Sequence, residues 1–445
     1  MTSKIRKKKF FELGEFLFNF IEEKENLFLS LNGEMSSFTR INNGKIRQTT
    51  AVNQQFLTIN FIKNDQIYEY LGPLTENLEA NKLKYKKIIL KLREDSQNMP
   101  GDPFVPLIKK HLDNVKMLVA DNINKQEMVE DFMSSFDRID IVGLLTEGCI
   151  ERGFMSSLGQ KCWYITNNFV IDYSIFNQNG KSVKGFYSDI SWNKNILTSK
   201  ILKSLGELKQ LSKDPKNISP GKYRVYLAPA AVNDLLGVIN WKGLSYSSFK
   251  KGACPLMKLH LGKISLSNKF NLSEDYSLGL SNSFNNFGEV APDKLDLIKD
   301  GKLENALVSS KTSREFNKKS NGARDSEMMV SFKLDGGNIS TEEILKTLDN
   351  GIYISNLHYL NWSNIENARI TGMTRYGSFL VKNGRIVAPI EDMRFDDTVY
   401  SLFGDNLIGL TRELERFPNL HSYFERSLSG GIVPGALIRE MNFSI

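Results

Sequence analysis

The hydrophobic period of the chain changes at Asn26, and that change limits what it can fold into. Over 10–24, Phe10, Leu13, Leu17, Phe20 and Ile21 recur at helical spacing, with Glu12, Glu15, Glu22 and Glu23 between them. That is the pattern of a helix turning one face to a core. From Asn26 the period is two, and 27–31, 35–41, 45–51 and 56–62 read as strands. Asn42-Asn43-Gly44 supplies a hairpin turn, because Asn and Gly accept positive φ at low cost. Asn64-Asp65 marks another. A helix over 75–94, with Thr75 as N-cap and Leu78, Leu83, Ile88, Leu90 and Leu92 as apolar positions, completes a helix–meander–helix unit.

The Pro/Gly/Asp-rich stretch 96–106 reads as a linker, followed by short helices over 105–136. Strands return at 139–151, 153–158, 162–176 and 182–187, then a helix at 196–211 and a second break at 213–220. The last half mixes a strand at 223–227, a helix at 230–239 and a loop-rich stretch at 266–322. Ser340 and Glu343 form a capping box for a helix ending near Asn350-Gly351. Strands follow at 352–358, 368–375, 377–382 and 385–389, the last two joined by the hairpin pair Asn383-Gly384. A helix near 396–416 and a strand at 435–442 close the chain. The expected class is α+β. It divides into an N-terminal α+β domain (1–95), a central strand-rich region (107–212) and a C-terminal α+β domain with an antiparallel sheet (221–445).

With 445 residues, 41% hydrophobic and 24% charged, the chain can bury a large core without staples. No apolar run approaches the roughly 20 residues of a membrane span. The basic cluster Lys4, Arg6, Lys7, Lys8 and Lys9 precedes a stretch broken by Glu12 and Glu15, unlike a signal peptide. Three separated cysteines, Cys149, Cys162 and Cys254, fit a reducing cytoplasm. The net charge of +7 reflects a general Lys/Asn richness and the basic first residues. No recognition motif accompanies it, so nucleic acid is not the expected partner.

The motifs mostly exclude. The four histidines, His111, His260, His358 and His421, are isolated, and neither HExxH nor HExxxH occurs. His111 and His421 fall on expected helix surfaces. A Cys254–His260 nucleophile pair is conceivable, but a lone Cys is more often a small core hydrophobe. GxGxxG, GxxxxGK[ST] and GxSxG are absent. Arg369, Arg375, Arg385 and Arg394 cluster in sequence, either as a solvated strand face or as an anchor for a peptide carboxylate or backbone.

Several segments together resemble the TldD/PmbA (TldD/TldE) family. They are GIYISNL from Gly351, NARITGMTR from Asn367, GSFLVKNGRIVAPIE from Gly377, SSLGQ from Ser156 and FTRINNGKI from Phe38. The resemblance runs from about residue 15 to the end. It implies a peptidase family whose zinc-bearing subunit carries an HExxxH helix and a C-terminal cysteine. It also implies a dimer around a cleft that unfolded peptide enters as an added strand. In this sequence the HExxxH positions would fall at Gly237, Val238 and Lys242, and Gly430–Gly435 lacks the cysteine.

The chain therefore looks like the PmbA/TldE-type subunit. No cofactor is expected in it, and zinc is expected in the partner. That partner would be a TldD-like zinc-bearing subunit or a second copy, with no membrane involved. The candidate peptide cleft comprises Asn356, His358, Arg369, Thr371 and Arg375, on strands 351–358 and 368–375 taken as its wall. The alternative is a non-catalytic dimeric protein that binds or regulates through peptides.

Overall fold

A computed structural model describes residues 3–95, 100–108, 112–118, 123–136 and 139–444. The first half contains α1 (Ser3–Phe18), β1 (Glu25–Asn42), β2 (Lys45–Lys63), β3 (Gln66–Pro73) and α2 (Leu78–Asp95). It continues with β4 (Leu112–Leu118), α3 (Lys125–Ser134), β5 (Asp140–Ser156), β6 (Gln160–Phe176), β7 (Ser182–Asp189) and α4 (Lys194–Leu211). The second half opens with β8 (Gly221–Leu227), α5 (Pro229–Ile239), α6 (Tyr246–Lys250), α7 (Met257–His260) and β9 (Leu272–Asp275). Then come β10 (Lys294–Lys299), β11 (Lys302–Leu303), α8 (Ser310–Phe316), β12 (Ser331–Leu334) and α9 (Ile344–Leu348). The chain closes with β13 (Gly351–Asn364), β14 (Arg369–Lys382), β15 (Arg385–Pro389), β16 (Arg394–Thr398), β17 (Leu407–Pro418) and β18 (Gly430–Ser444). The class is α+β.

The three Asn-led turns form as read. Asn43 and Gly44, Asn64 and Asp65, and Asn383 and Gly384 all take positive φ and join paired antiparallel strands. Pairs of short strands read at 27–41, 45–62, 139–158 and 368–382 are single long strands. Their polar interruptions are satisfied from outside. Glu34, buried inside β1, takes the Gln54 amide at 2.6 Å, the Ser36 hydroxyl at 3.1 Å and the Arg426 N–H at 3.2 Å.

Other expectations fail locally. Asn77, not Thr75, caps α2: its Oδ1 accepts the Ala80 N–H at 3.1 Å. The helices expected over 105–136 are one strand, β4, and one helix, α3; His111 lies outside the described residues. The helix expected near 396–416 is β16, a π-helical turn and β17. Its buried Val399, Leu402 and Phe403 do lie in a short helical stretch, but Leu407 and Leu410, at the same spacing, pair with β18, and that ladder overrides the periodicity from there on.

Two sheets result. In the first the order is β3-β2-β1-β5-β6, with β4 and β7 sharing the far side of β6, so 1–95 and 107–212 supply strands to one sheet. α1 and α2 cover one face through Phe10, Leu13, Leu17, Tyr85 and Ile89, packed on Leu27, Leu29, Leu57 and Phe61. In the second sheet the order is β11-β10-β9-β12-β18-β16-β14-β13-β8, with β15 on β14 and β17 on β18. β8 also pairs with β18, so β8, β13, β14, β16 and β18 close into a ring. The β8–β13 and β12–β18 pairs are parallel, so this sheet is mixed.

A shared core joins the sheets. Phe169, Ile171 and Tyr173 of β6 and Leu197 and Ile201 of α4 meet Tyr226, Tyr353, Phe379 and Leu437. The site lies along this seam.

Candidate functional site

A cleft of about 390 Å³ opens at the seam between α4, α5, β7, β13 and β17. α4 starts at Asn193, whose Oδ1 accepts the N–H groups of Asn195 and Ile196 at 3.0 and 3.4 Å. Its Leu197, Ile201 and Leu211 are buried, while Lys200, Lys203, Ser204 and Glu207, spaced three and four apart, line the cleft. β17 brings Glu415 and Phe417, and β7 brings Lys184, Gly185 and Phe186. A Cβ at Gly185 would overlap the Tyr173 ring, so only glycine lets β7 lie over that tyrosine. Phe186 and Phe417 stack at 5.6 Å and form an apolar wall.

The polar side chains form a linked set. Lys200 Nζ lies 2.7 Å from Glu415 Oε2, and Lys203 Nζ lies 3.9 Å from Oε1. Burial opposes the Glu415 charge, yet the two lysines hold its carboxyl below the usual range. Tyr353 donates its hydroxyl to Glu207 at 3.0 Å. Burial pushes the Glu207 carboxyl up, partly offset by Lys203 and that hydroxyl. Gly377 leaves room here, since a Cβ would stand 3.0 Å from Glu207 Oε2. Lys184 pairs with Asp172 at 2.5 Å.

α5 reaches the cleft with its first half. Ala230, Asn233 and Asp234 line it; Gly237, Val238 and Lys242, the positions read for a zinc motif, do not. Lys242 lies beyond the helix, at φ 66°. The Asp234 carboxylate accepts the Leu357 N–H at 3.1 Å, and burial pushes it up to about 7 against that bond.

The five residues read as a peptide cleft are not gathered in one place. Asn356 lines the seam cleft. His358 and Arg375 line a separate pocket of about 350 Å³ with Tyr376 and Asp392, where Arg375 donates to His358 Nδ1 at 2.8 Å. Burial and the Arg375 charge lower the His358 pKa. Arg369 pairs with Asp396 at 2.9 Å on the outer part of the sheet. Thr371 donates to Phe395 O at 3.0 Å and accepts from Arg394 Nε at 3.1 Å.

Among the described residues, the strands read as the wall are largely paired on both sides. β13 lies between β8 and β14 over Ile352–Ile354, and further on Asp234 takes the Leu357 N–H. β14 lies between β13 and the pair β15 and β16. Among the described residues, the edges that do reach the cleft belong to β7, whose strand partner is β6, and β17, whose outer side bonds 337–339 near Thr411 and takes the Ser188 hydroxyl at the Arg416 carbonyl.

Sequence reading missed Lys200, Lys203, Glu207, Asp234, Tyr353 and Glu415. One signal was available. In α5, PAAVNDLLGVI, Asn233 and Asp234 are the polar residues of an otherwise apolar helix, and a polar pair inside such a run needs a reason. The conceivable Cys254–His260 pair is structural. Both side chains bond the Gly243 carbonyl, burial pushes the thiol up to about 12, and His260 stacks on Phe249. His421 sits in the exposed segment after β17, not on a helix.

Comparison with known proteins places this architecture. Three solved structures share it over nearly the whole length. A protein described as a candidate modulator of a DNA gyrase from Thermotoga maritima is 17% identical, with a TM-score of 0.78, covering 98% of this chain and 100% of that one. TldE from Thermococcus kodakarensis is 15% identical, with a TM-score of 0.75 over 98% and 100% of the two chains. A second candidate modulator of DNA gyrase, from Bacteroides thetaiotaomicron, is 14% identical, with a TM-score of 0.75 over 100% and 99%. At these identities the likeness speaks for the fold. Among curated proteins none matches in sequence. Residues 220–445, half of the chain, match the family model for the PmbA/TldA metallopeptidase C-terminal domain. The chain belongs to the PmbA/TldD metallopeptidase family.

Proposed function

We propose that this chain is the TldE/PmbA-like half of a peptide-degrading or peptide-trimming metallopeptidase, with zinc supplied by a TldD-like partner. The observation that carries the reading is the seam cleft, bordered by two edge strands and lined by side chains that do not fit a zinc ion. A catalytic zinc needs three protein ligands drawn from His, Cys and carboxylates, plus an open position. Among the described residues no His or Cys lines the cleft, and lysines neutralise Glu415 and Asp172, leaving only Glu207 and Asp234 as carboxylates. Among the described residues, no three His, Cys, Asp or Glu side chains gather as a metal site.

What the cleft suits is extended peptide. The edges of β7 and β17 leave backbone groups available for strand addition, which binds peptide irrespective of sequence. The Phe186–Phe417 wall accepts apolar side chains, and the Lys200/Lys203/Glu415 set and Asn356 accept polar ones. A folded domain has no free strand to offer, so the cleft selects unfolded chains.

The test is cleavage of an unstructured peptide by this chain alone, by a zinc-bearing family member alone, and by the mixture. Cleavage that rises strongly only in the mixture supports the proposal. Full cleavage by this chain alone, resistant to a chelator, contradicts it. Peptide binding without cleavage in any mixture turns the assignment to a non-catalytic binding protein.

A further inference from the structure

The charges of the seam cleft are matched with one exception. Asp172 has Lys184, Glu415 has Lys200 and Lys203, and Glu207 has the Tyr353 hydroxyl and the field of Lys203. Asp234 has no cation beside it among the described residues. The Leu357 N–H occupies its Oδ2, which leaves Oδ1 as its free acceptor. Next to it Asn233 holds a shielded Oδ1 with no hydrogen-bond partner among the described residues. Both residues line the cleft, and neither is fully buried.

A carboxylate oxygen left open to the cleft, beside an unsatisfied amide oxygen, calls for a cationic donor. One carboxylate and one amide are too few for a tightly held metal ion. A guanidinium prefers two parallel bonds to one carboxylate, and Asp234 has only one oxygen to give. A primary ammonium carries three N–H donors that diverge, so it needs only the one free oxygen of Asp234 and keeps donors for other acceptors nearby. We infer that Asp234 and Asn233 form a subsite for the primary ammonium of a bound peptide, which sets where and in which direction the peptide starts in the cleft. The inference rests on the peptide reading given above. From that point the Phe186–Phe417 wall is available to the first side chains of the peptide.

The experiment uses the full chain and an unstructured peptide free of Lys and Arg, carrying a fluorophore at its carboxyl end, with binding read by anisotropy. The free-amino peptide is compared with its N-acetylated form, on the wild type, Asp234→Asn and Asp234→Glu. Thermal unfolding confirms that each variant is folded. The expected result is that acetylation weakens wild-type binding by about tenfold or more, the range of a charge-assisted bond. Asp234→Asn binds both peptides as weakly as the wild type binds the acetylated one, and Asp234→Glu keeps part of the preference.

An acetylated peptide with one internal lysine separates the two sources of ammonium. Recovered binding assigns the subsite to lysine side chains, and continued weak binding assigns it to the amino terminus. Equal wild-type affinity for free and acetylated peptides overturns the subsite and leaves the peptide reading standing. A preference that survives in Asp234→Asn also overturns it. Binding of neither peptide removes the peptide reading and the subsite together.

Discussion

The two sheets solve opposite problems with buried charge. In the first sheet charges go in with their partners. Arg6 meets Glu151 at 3.1 Å with both side chains almost fully buried. Glu25 takes Lys63 at 3.0 Å and Arg93 at 2.8 Å. Arg426, reaching across from the second half, bonds Ser36 and the Gly148 carbonyl. Where the second sheet meets the first, α5 presents Asp234 to a cleft whose lysines pair with other carboxylates, with no cation beside Asp234 among the described residues. A paired charge fixes a structure, while an unpaired one in an accessible cleft is a place for a ligand.

The largest effect expected from breaking this contrast is in the first sheet. Glu151→Ala leaves Arg6 buried without its partner and lowers stability by about 3–5 kcal/mol, read as an earlier transition in urea. Replacing both residues with Met has a much smaller effect, because the desolvation of the pair disappears with the charges.

pH separates Glu25 and Asp234 by sign. Burial opposes the Glu25 charge, but Arg93, Lys63 and the Glu22 N–H hold its pKa at about 2. A depressed carboxyl stabilises the fold above its unfolded value of about 4.5 and loses that contribution as pH falls toward 2, up to about 3 kcal/mol. Asp234 runs the other way. Its pKa is raised to about 7, so the folded state binds more protons between about pH 4 and 7, and its share of stability falls as pH rises through that window. Urea titrations at pH 3, 5 and 8 with Glu25→Gln and Asp234→Asn check both signs.

At pH 8 Asp234→Asn gains on the order of 1–2 kcal/mol, allowing for water in the cleft, while losing the ammonium preference. That is a stability gain at the expense of a site. The smallest effect tests what the sheets share. Gly384 takes φ 69° in the β14–β15 hairpin. Gly384→Ala costs about 1 kcal/mol, and Gly44→Ala, at φ 64° in the first sheet, costs a similar amount. A large difference between them would show that one hairpin is more tightly fixed by its surroundings.

Local chemistry was readable where partners are neighbours in sequence. The Asn-led turns, the β1–β2–β3 meander and the β14–β15 hairpin follow from residues within a few positions of each other. What needed distant partners was not readable. β4 takes its ladder from β6 and β17 from β18, and both were expected as helix; the strand read at 223–227 forms as β8, but its pairing with both β13 and β18 had no local signal. The helical spacing over Val399–Leu410 misled beyond Asp405, because the ladder that Leu407 and Leu410 join lies outside the segment.

The site divides in the same way. Asn356 was placed at the cleft from its motif, but His358 and Arg375 open on another pocket and Arg369 is paired with Asp396. Lys203, Glu207, Tyr353 and Glu415 come together only because α4, β13 and β17 meet at the seam.

The measurement that tests the central claim most directly is the zinc content of this protein, purified alone and without a metal-affinity tag, by elemental analysis. The account predicts less than about a tenth of an equivalent per chain, as expected where the ligand set of a catalytic zinc is missing. One full equivalent, retained through dialysis, would contradict it and place a zinc site in this subunit.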